Sequence, residues 1–238
     1  MGPTKPGGLR PPGPLGRLDD PDHAVSSRLA WVRTNADLRE PWPALEELDA
    51  AGFGRHLDEL TEVYAEAMGV PAMQLPGRRA VMDGHAVNPA FRAIVVTAPG
   101  DPERQIVAFA YGFHGDRGQW WHDVVRAALT VGSGSGAAAA WLDDSFEVAE
   151  VHVRPRYQQR GIGRQMLHRL TGGLTERTAV LSTMDSESPA RRLYRSLGFT
   201  DLLTRYQFAG VAESYAVMGA ALPLLTARSA GRPRSPRN

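Results

Sequence analysis

Gln158, Gly161 and Gly163 stand where one residue pattern ends and another begins. Before them, Val148, Val151 and Val153 lie in an alternating run that stops at Pro155, which lacks the N–H a central strand needs. After them, Ile162, Met166, Leu170 and Leu174 recur at helical spacing. The prediction is strand, glycine-rich turn, helix. Glycines at a helix entrance let the backbone approach a ligand closely, and the free N–H groups of the first turn, with the helix dipole behind them, favour an anion. A phosphate is the predicted ligand. On the strand itself, Glu147, Glu150 and His152 can each accept a proton. Strict alternation sets Glu150 and His152 on one face and Glu147 with Val151 on the other.

A dinucleotide turn requires G-x-G-x-x-G and a Walker turn G-x-x-x-x-G-K-[ST]. Here Gly161 and Gly163 lead to Met166, with no Lys-Ser or Lys-Thr pair, so both nucleotide readings fail. The pattern present is Q/R-x-x-G-x-G, as Gln158, Gly161 and Gly163, after an alternating strand that ends in V-x-P. It resembles the acetyl-CoA motif of the GCN5-related N-acetyltransferases, the GNAT superfamily. A second stretch, SPARRLYRSLGF over residues 188–199, is similar to that family's next helix, and the interval between the two suits one short helix and one strand.

The resemblance implies an α/β (α+β) fold whose central sheet is mixed and mostly antiparallel, flanked by helices. That sheet would be splayed at the acyl-CoA site, between the strand before the glycine turn and the strand after its helix. Acetyl-CoA would be held by Gln158, Gln159, Arg160, Gly161, Ile162, Gly163 and Arg164, with backbone N–H groups around the pyrophosphate and Arg160 and Arg164 adding charge. Val151, His152 and Val153 would pair through their backbone with the pantetheine arm. Tyr194, in the LY-x-x-x-GF stretch, would be the general acid for the departing thiolate; Glu150 would be the general base, with Glu147 and His152 as alternatives. Where the family often has Asn, three residues before the helical alanine, this chain has Glu187, whose carboxylate cannot supply an amide N–H. The implied activity is transfer of an acetyl group from acetyl-CoA to a primary amine by direct attack in a ternary complex. A domain of the same fold that binds or senses acyl-CoA without turnover is the alternative reading.

How much a base matters depends on the acceptor. A lysine-like amine with pKa about 10.4 is only roughly one part in two thousand neutral at pH 7, a cost of about 4.6 kcal/mol; an α-amine near 8 loses about 1.4 kcal/mol. A small-molecule amine and a protein amine both stand as acceptor partners.

Composition narrows the rest. The chain has 238 residues, with 27 Lys and Arg against 26 Asp and Glu, a formal charge of +1 that gives no global attraction to nucleic acid. The absence of cysteine excludes disulfides, thiolate zinc sites and a cysteine nucleophile, and no metal is expected. No run of about 18 apolar residues occurs, and Pro and Gly occupy the N-terminus where a signal peptide would be apolar. Pro3 and Pro6 break a myristoylation pattern. A soluble cytoplasmic protein with no membrane partner is expected, with a homodimer as one assembly to consider. Residues 1–27 read as a disordered Pro/Gly-rich leader, 28–222 as one domain, and 223–238 as a basic flexible tail.

Within the domain, residues 29–32 read as a first strand. Leu45, Leu48, Leu57, Leu60, Val63, Tyr64 and Ala67 read as amphipathic helices, with Tyr64 as a core residue. Residues 79–88 read as a helix or a loop, with His85 in a packing or surface role. Residues 91–97 and 106–113 form a predicted hairpin, and 118–129 a helix whose Trp120 and Trp121 either pack or line an acceptor pocket. Residues 131–140, VGSGSGAAAA, read as a low-complexity loop. After the glycine turn come a strand at 179–183, a helix opened by Ser188 and Pro189 and closed near Gly198, and strands at 202–208 and 214–218.

Overall fold

The structure, a computed structural model, describes residues 44–226 apart from 99 and 102. The expected leader, the strand at 29–32 and most of the expected tail lie outside the described residues. Seven strands form one sheet in the order β1-β2-β3-β4-β5-β7-β6: β1 Leu45–Leu48, β2 Arg92–Thr97, β3 Ile106–Gly115, β4 Ser145–Val153, β5 Thr178–Met184, β6 Thr200–Tyr206 and β7 Tyr215–Ala221. Every neighbouring pair is antiparallel except β4 and β5. The sheet is mixed, mostly antiparallel and not closed.

Helices cover both faces. On one, α1 (Ala50–Arg55), α2 (Leu57–Met68) and α3 (Leu75–His85) close over the half of the sheet around β3, where Phe53, Leu57, Leu60 and Met82 bury against Phe109, Tyr111 and Phe113. On that same face α4 (Trp120–Ser133) and α5 (Ser135–Leu142) cover the other half, packing Val125, Leu129 and Leu142 against Val180 of β5 and Val217 of β7. The opposite face carries α6 (Ile162–Thr171) and α7 (Pro189–Ser196), whose Ile162, Met166, Leu170 and Tyr194 join Phe146, Val148 and Leu181 in the main core.

Three segments differ from the sequence expectation. Leu45 and Leu48, three apart, read as helical but form the edge strand β1, paired with Val96 and Ala93. Glu46 and Glu47 there pair with Arg104 at 2.8 Å and Arg92 at 3.0 Å, and the helix begins only after Asp49, whose carboxylate accepts the Gly52 N–H at 2.7 Å. Residues 131–140 are not a loop. Val131 to Ser133 finish α4, Gly134 breaks the helix at φ +87°, and the alanine run, the best of helix formers, builds α5. Finally, Leu224 is buried and the Leu225 N–H bonds the Leu197 carbonyl at 3.0 Å, so the folded unit runs past the boundary expected at 222. The ambiguous stretch at 79–88 falls largely in α3.

Candidate active site

The parallel contact between β4 and β5 lasts only three residue pairs, Ser145 with Thr178, Phe146 with Ala179 and Glu147 with Val180. Beyond Glu147 the two strands part, while β4 stays paired with β3 as far as Val153 and β5 with β7 as far as Met184. The β5-facing edge from Val151 to Val153 therefore has no partner strand among the described residues, and it leads into the glycine turn.

That turn is built by left-handed backbone. Gln159 has φ +59° and Gly161, the N-cap of α6, has φ +79°, a conformation glycine adopts without strain. Among the described residues, the N–H groups of Gln159, Arg160, Gly161, Ile162, Gly163 and Arg164 donate to no main-chain carbonyl. A β-carbon at Gly163 would come within 3.0 Å of Leu193, so the missing side chain lets α6 approach α7. Gln158 donates to the Val153 carbonyl at 3.0 Å and closes the turn; Arg164 donates to the Ser196 hydroxyl at 2.6 Å and ties α6 to α7. Arg160 lies over Tyr157 at 5.7 Å. Arg156, which the glycine motif did not single out, lies over the same ring at 4.8 Å. The result is a set of free donors at a helix N-terminus flanked by guanidinium groups, which suits a phosphate.

The protonatable residues of β4 are brought together by a bulge. Tyr111 faces Glu150 and Gly112 faces Val148, leaving Ala149 as an extra residue. This corrects the strict alternation: Glu147, Glu150 and His152 all share the face of Phe113, Tyr111 and Phe109, while Val148 and Val151 face the main core. A β-carbon at Gly112 would overlap the Glu147 carbonyl and the Phe146 ring, so the bulge needs glycine opposite it.

The three groups have different environments. Glu150 pairs with Arg78 of α3 and bonds His152. Burial, with Arg78 nearby, lowers His152 to about 3, so its ring is neutral. Burial pushes the Glu147 carboxyl up to about 8, and its Oε2 has no hydrogen-bond partner among the described residues. Around them stand residues that sequence reasoning assigned to packing or left aside. The Arg78 guanidinium covers Tyr64 at 4.8 Å, and Tyr64 meets His152 edge-on at 5.0 Å. His85 Nδ1 lies 3.1 Å from the Tyr111 hydroxyl. Burial lowers His85 and raises Tyr111 above the usual phenol range. Across the splay, Trp121 of α4 donates its indole N–H to Ser182 at 3.2 Å. Tyr215 is raised by burial and by Glu213 and Tyr64, and is held back by the charge of Arg78.

Tyr194 lies on the other face, in the main core with its ring 5.7 Å from Phe199. Burial raises its phenol to about 12, so it keeps its proton at neutral pH. Glu187, the departure from the family pattern, is exposed and paired with Arg195 at 2.6 Å. Asp185 instead holds the turn before α7, pairing with Arg191 and accepting the Arg205 N–H at 2.6 Å.

The acetyltransferase (GNAT) domain family matches this chain over residues 104–201, from the hairpin through the glycine turn to β6. Over 202 residues the chain is 33% identical to a GCN5-like protein acetyltransferase of Mycobacterium tuberculosis, covering 76% of this chain and 98% of that one. The chain belongs to the GNAT family. Solved GNAT structures share its fold. One from Desulfovibrio desulfuricans, 14% identical, superposes with a TM-score of 0.50 over 75% of this chain and 98% of its own. An acetyltransferase of Salmonella typhimurium, solved with its cofactor acetyl-CoA, is 18% identical with a TM-score of 0.50 over 78% and 96%. GNAT proteins use acetyl-CoA as cosubstrate, and the free N–H groups, the left-handed Gly161 and the arginines at the turn of α6 fit its phosphates. Among the described residues, no helix is long and apolar enough to cross a membrane.

Proposed function

We propose that this GNAT protein is an N-acetyltransferase acting on a primary amine by direct attack, with both substrates bound together. One observation carries the reading: β4 and β5 part beside a helix N-terminus with free N–H donors, and buried proton acceptors line β4 on one face of the opening. Acetyl-CoA supplies the acyl group as a thioester. The N–H groups from Gln159 to Arg164 orient its pyrophosphate, with Arg160 and Arg164 adding charge, and the open edge at Val151, His152 and Val153 receives the pantetheine arm. The amine nitrogen bonds to the acyl carbon as the carbon–sulfur bond breaks.

The amine's proton goes to a carboxylate of β4. Glu150 is committed to Arg78 and His152, and a neutral His152 held near 3 is a weak base. Glu147, near 8 and with a free oxygen, is matched to an amine at neutral pH, so we assign it the base role in place of Glu150. Tyr194 Oη donates its proton to the departing sulfur. The relative from Mycobacterium tuberculosis is a protein acetyltransferase by its description, which favours a protein amine as the acceptor.

The test is release of the CoA thiol from acetyl-CoA as a function of added amine. Wild type should release it only with an acceptor, and Tyr194→Phe should lower turnover about a hundredfold while acetyl-CoA affinity holds. Release that never depends on an amine would overturn the reading.

A further inference from the structure

Among the described residues, the buried side-chain atoms without a hydrogen-bond partner are Arg78 Nε, Arg126 Nε, Glu147 Oε2 and Arg191 Nε. Arg126 and Arg191 belong to ion pairs elsewhere, with Asp143 and with Asp185 and Asp201. The other two fall in one place. Arg78 comes from α3 and pairs with Glu150, and Glu147 lies on the same face of β4, just across the bulge at Ala149. One is a donor and the other an acceptor. Buried polar atoms are rarely left unpaired, because they lose their water and gain nothing in return. Two such atoms of opposite character at the β4–β5 opening point to a ligand that satisfies both.

The rest of the Arg78 guanidinium is already engaged, with Glu150 and with the face of Tyr64. Its charge is thereby matched, and what it offers a ligand is a directed N–H. A bare alkylamine, such as a lysine side chain, would use Glu147 and leave the Arg78 donor empty.

We propose that the acceptor carries a hydrogen-bond-accepting oxygen beside its amine, as an aminoacyl group does, with the amine at Glu147 and the oxygen at Arg78 Nε. This rests on the acetyl-transfer reading above. The shared chemistry is an α-amine next to a carbonyl, from either a free amino acid or a peptide N-terminus.

Three conjugates of CoA, each linked from sulfur through an acetyl bridge to nitrogen, separate the outcomes by calorimetry. One carries n-butylamine, one glycine with its free carboxylate, and one glycine N-methylamide as a peptide mimic. At least one glycyl conjugate should bind on the order of tenfold tighter than the butyl conjugate, the usual worth of a charge-assisted hydrogen bond. Preference for the carboxylate form identifies an amino acid, and preference for the amide form a peptide. Arg78→Lys keeps a cation for Glu150 but lacks the Nε–H, and should bring the glycyl and butyl conjugates to equal affinity while CoA itself binds as before. Glycyl conjugates no tighter than butyl in wild type would overturn the proposal even if the variant fails to fold. If CoA alone does not bind, it is the acetyl-transfer reading that fails.

Discussion

Glu147→Gln removes a charge that the fold disfavours, and the structure sets its size. Burial moves this carboxyl from its ordinary 4.5 to about 8, and the side chain is only 6% exposed, so solvent screens little of the effect. The folded protein holds the proton more tightly than the unfolded chain does. The stability contributed by the neutral carboxyl is therefore fully present below pH 4.5 and is lost as pH rises through about 8. At about 1.4 kcal/mol for each tenfold change in proton affinity, the whole loss is on the order of 5 kcal/mol, most of it gone by pH 7. The amide of the variant does not titrate. Urea unfolding of both proteins at pH 5, 7 and 9 isolates the effect, because other groups titrate alike in each and cancel in the difference. The variant should gain on wild type with rising pH by several kcal/mol. Stability curves that stay parallel within about 0.5 kcal/mol across that range would refute the raised proton affinity of buried Glu147 on which its assignment as base rests.

Two further substitutions test the parts that hold the site. Gly112→Ala introduces a β-carbon that overlaps the Glu147 carbonyl and the Phe146 ring, so it should cost about 2 kcal/mol or more in urea unfolding, a larger effect than Ala substitution at the open Gly54 of α1. Ser188→Ala removes the cap that accepts the Arg191 N–H at 3.1 Å and should lower stability by about 1 kcal/mol, with the unfolding slope unchanged.

The glycine turn was legible because its signals are local. Pro155, two glycines and a helical stripe follow one another in the chain, and each has a meaning fixed within a few residues. The cap at Ser188 and the first-turn Pro189 were legible for the same reason. The grouping of Glu147 with Glu150 and His152 was not, because the extra residue at Ala149 is set by Gly112 on another strand, and nothing along β4 alone reports it. Tyr64 carried only a helical period, which does not distinguish a core ring from one at a cleft, and His85 lay in a stretch that read equally as helix or loop; Arg78 reaches Glu150 from α3 only once α3 docks on the sheet. Glycine and serine outweighed the alanines in the reading of residues 131–140, although a single break at Gly134 is enough to separate two helices. Leu45 and Leu48 suit a helix by spacing, and only pairing with β2 makes them a strand.

If the turn at Gly161 holds acetyl-CoA, thermal unfolding responds to the cosubstrate. At one hundred times its dissociation constant, acetyl-CoA should stabilise wild type by about 2.7 kcal/mol. Gly161→Asp places a side chain and a negative charge at a left-handed N-cap among the free N–H groups, and the folded variant should show no such gain. Wild type that does not respond to saturating acetyl-CoA, or a variant that responds equally, would rule out cosubstrate binding at this turn.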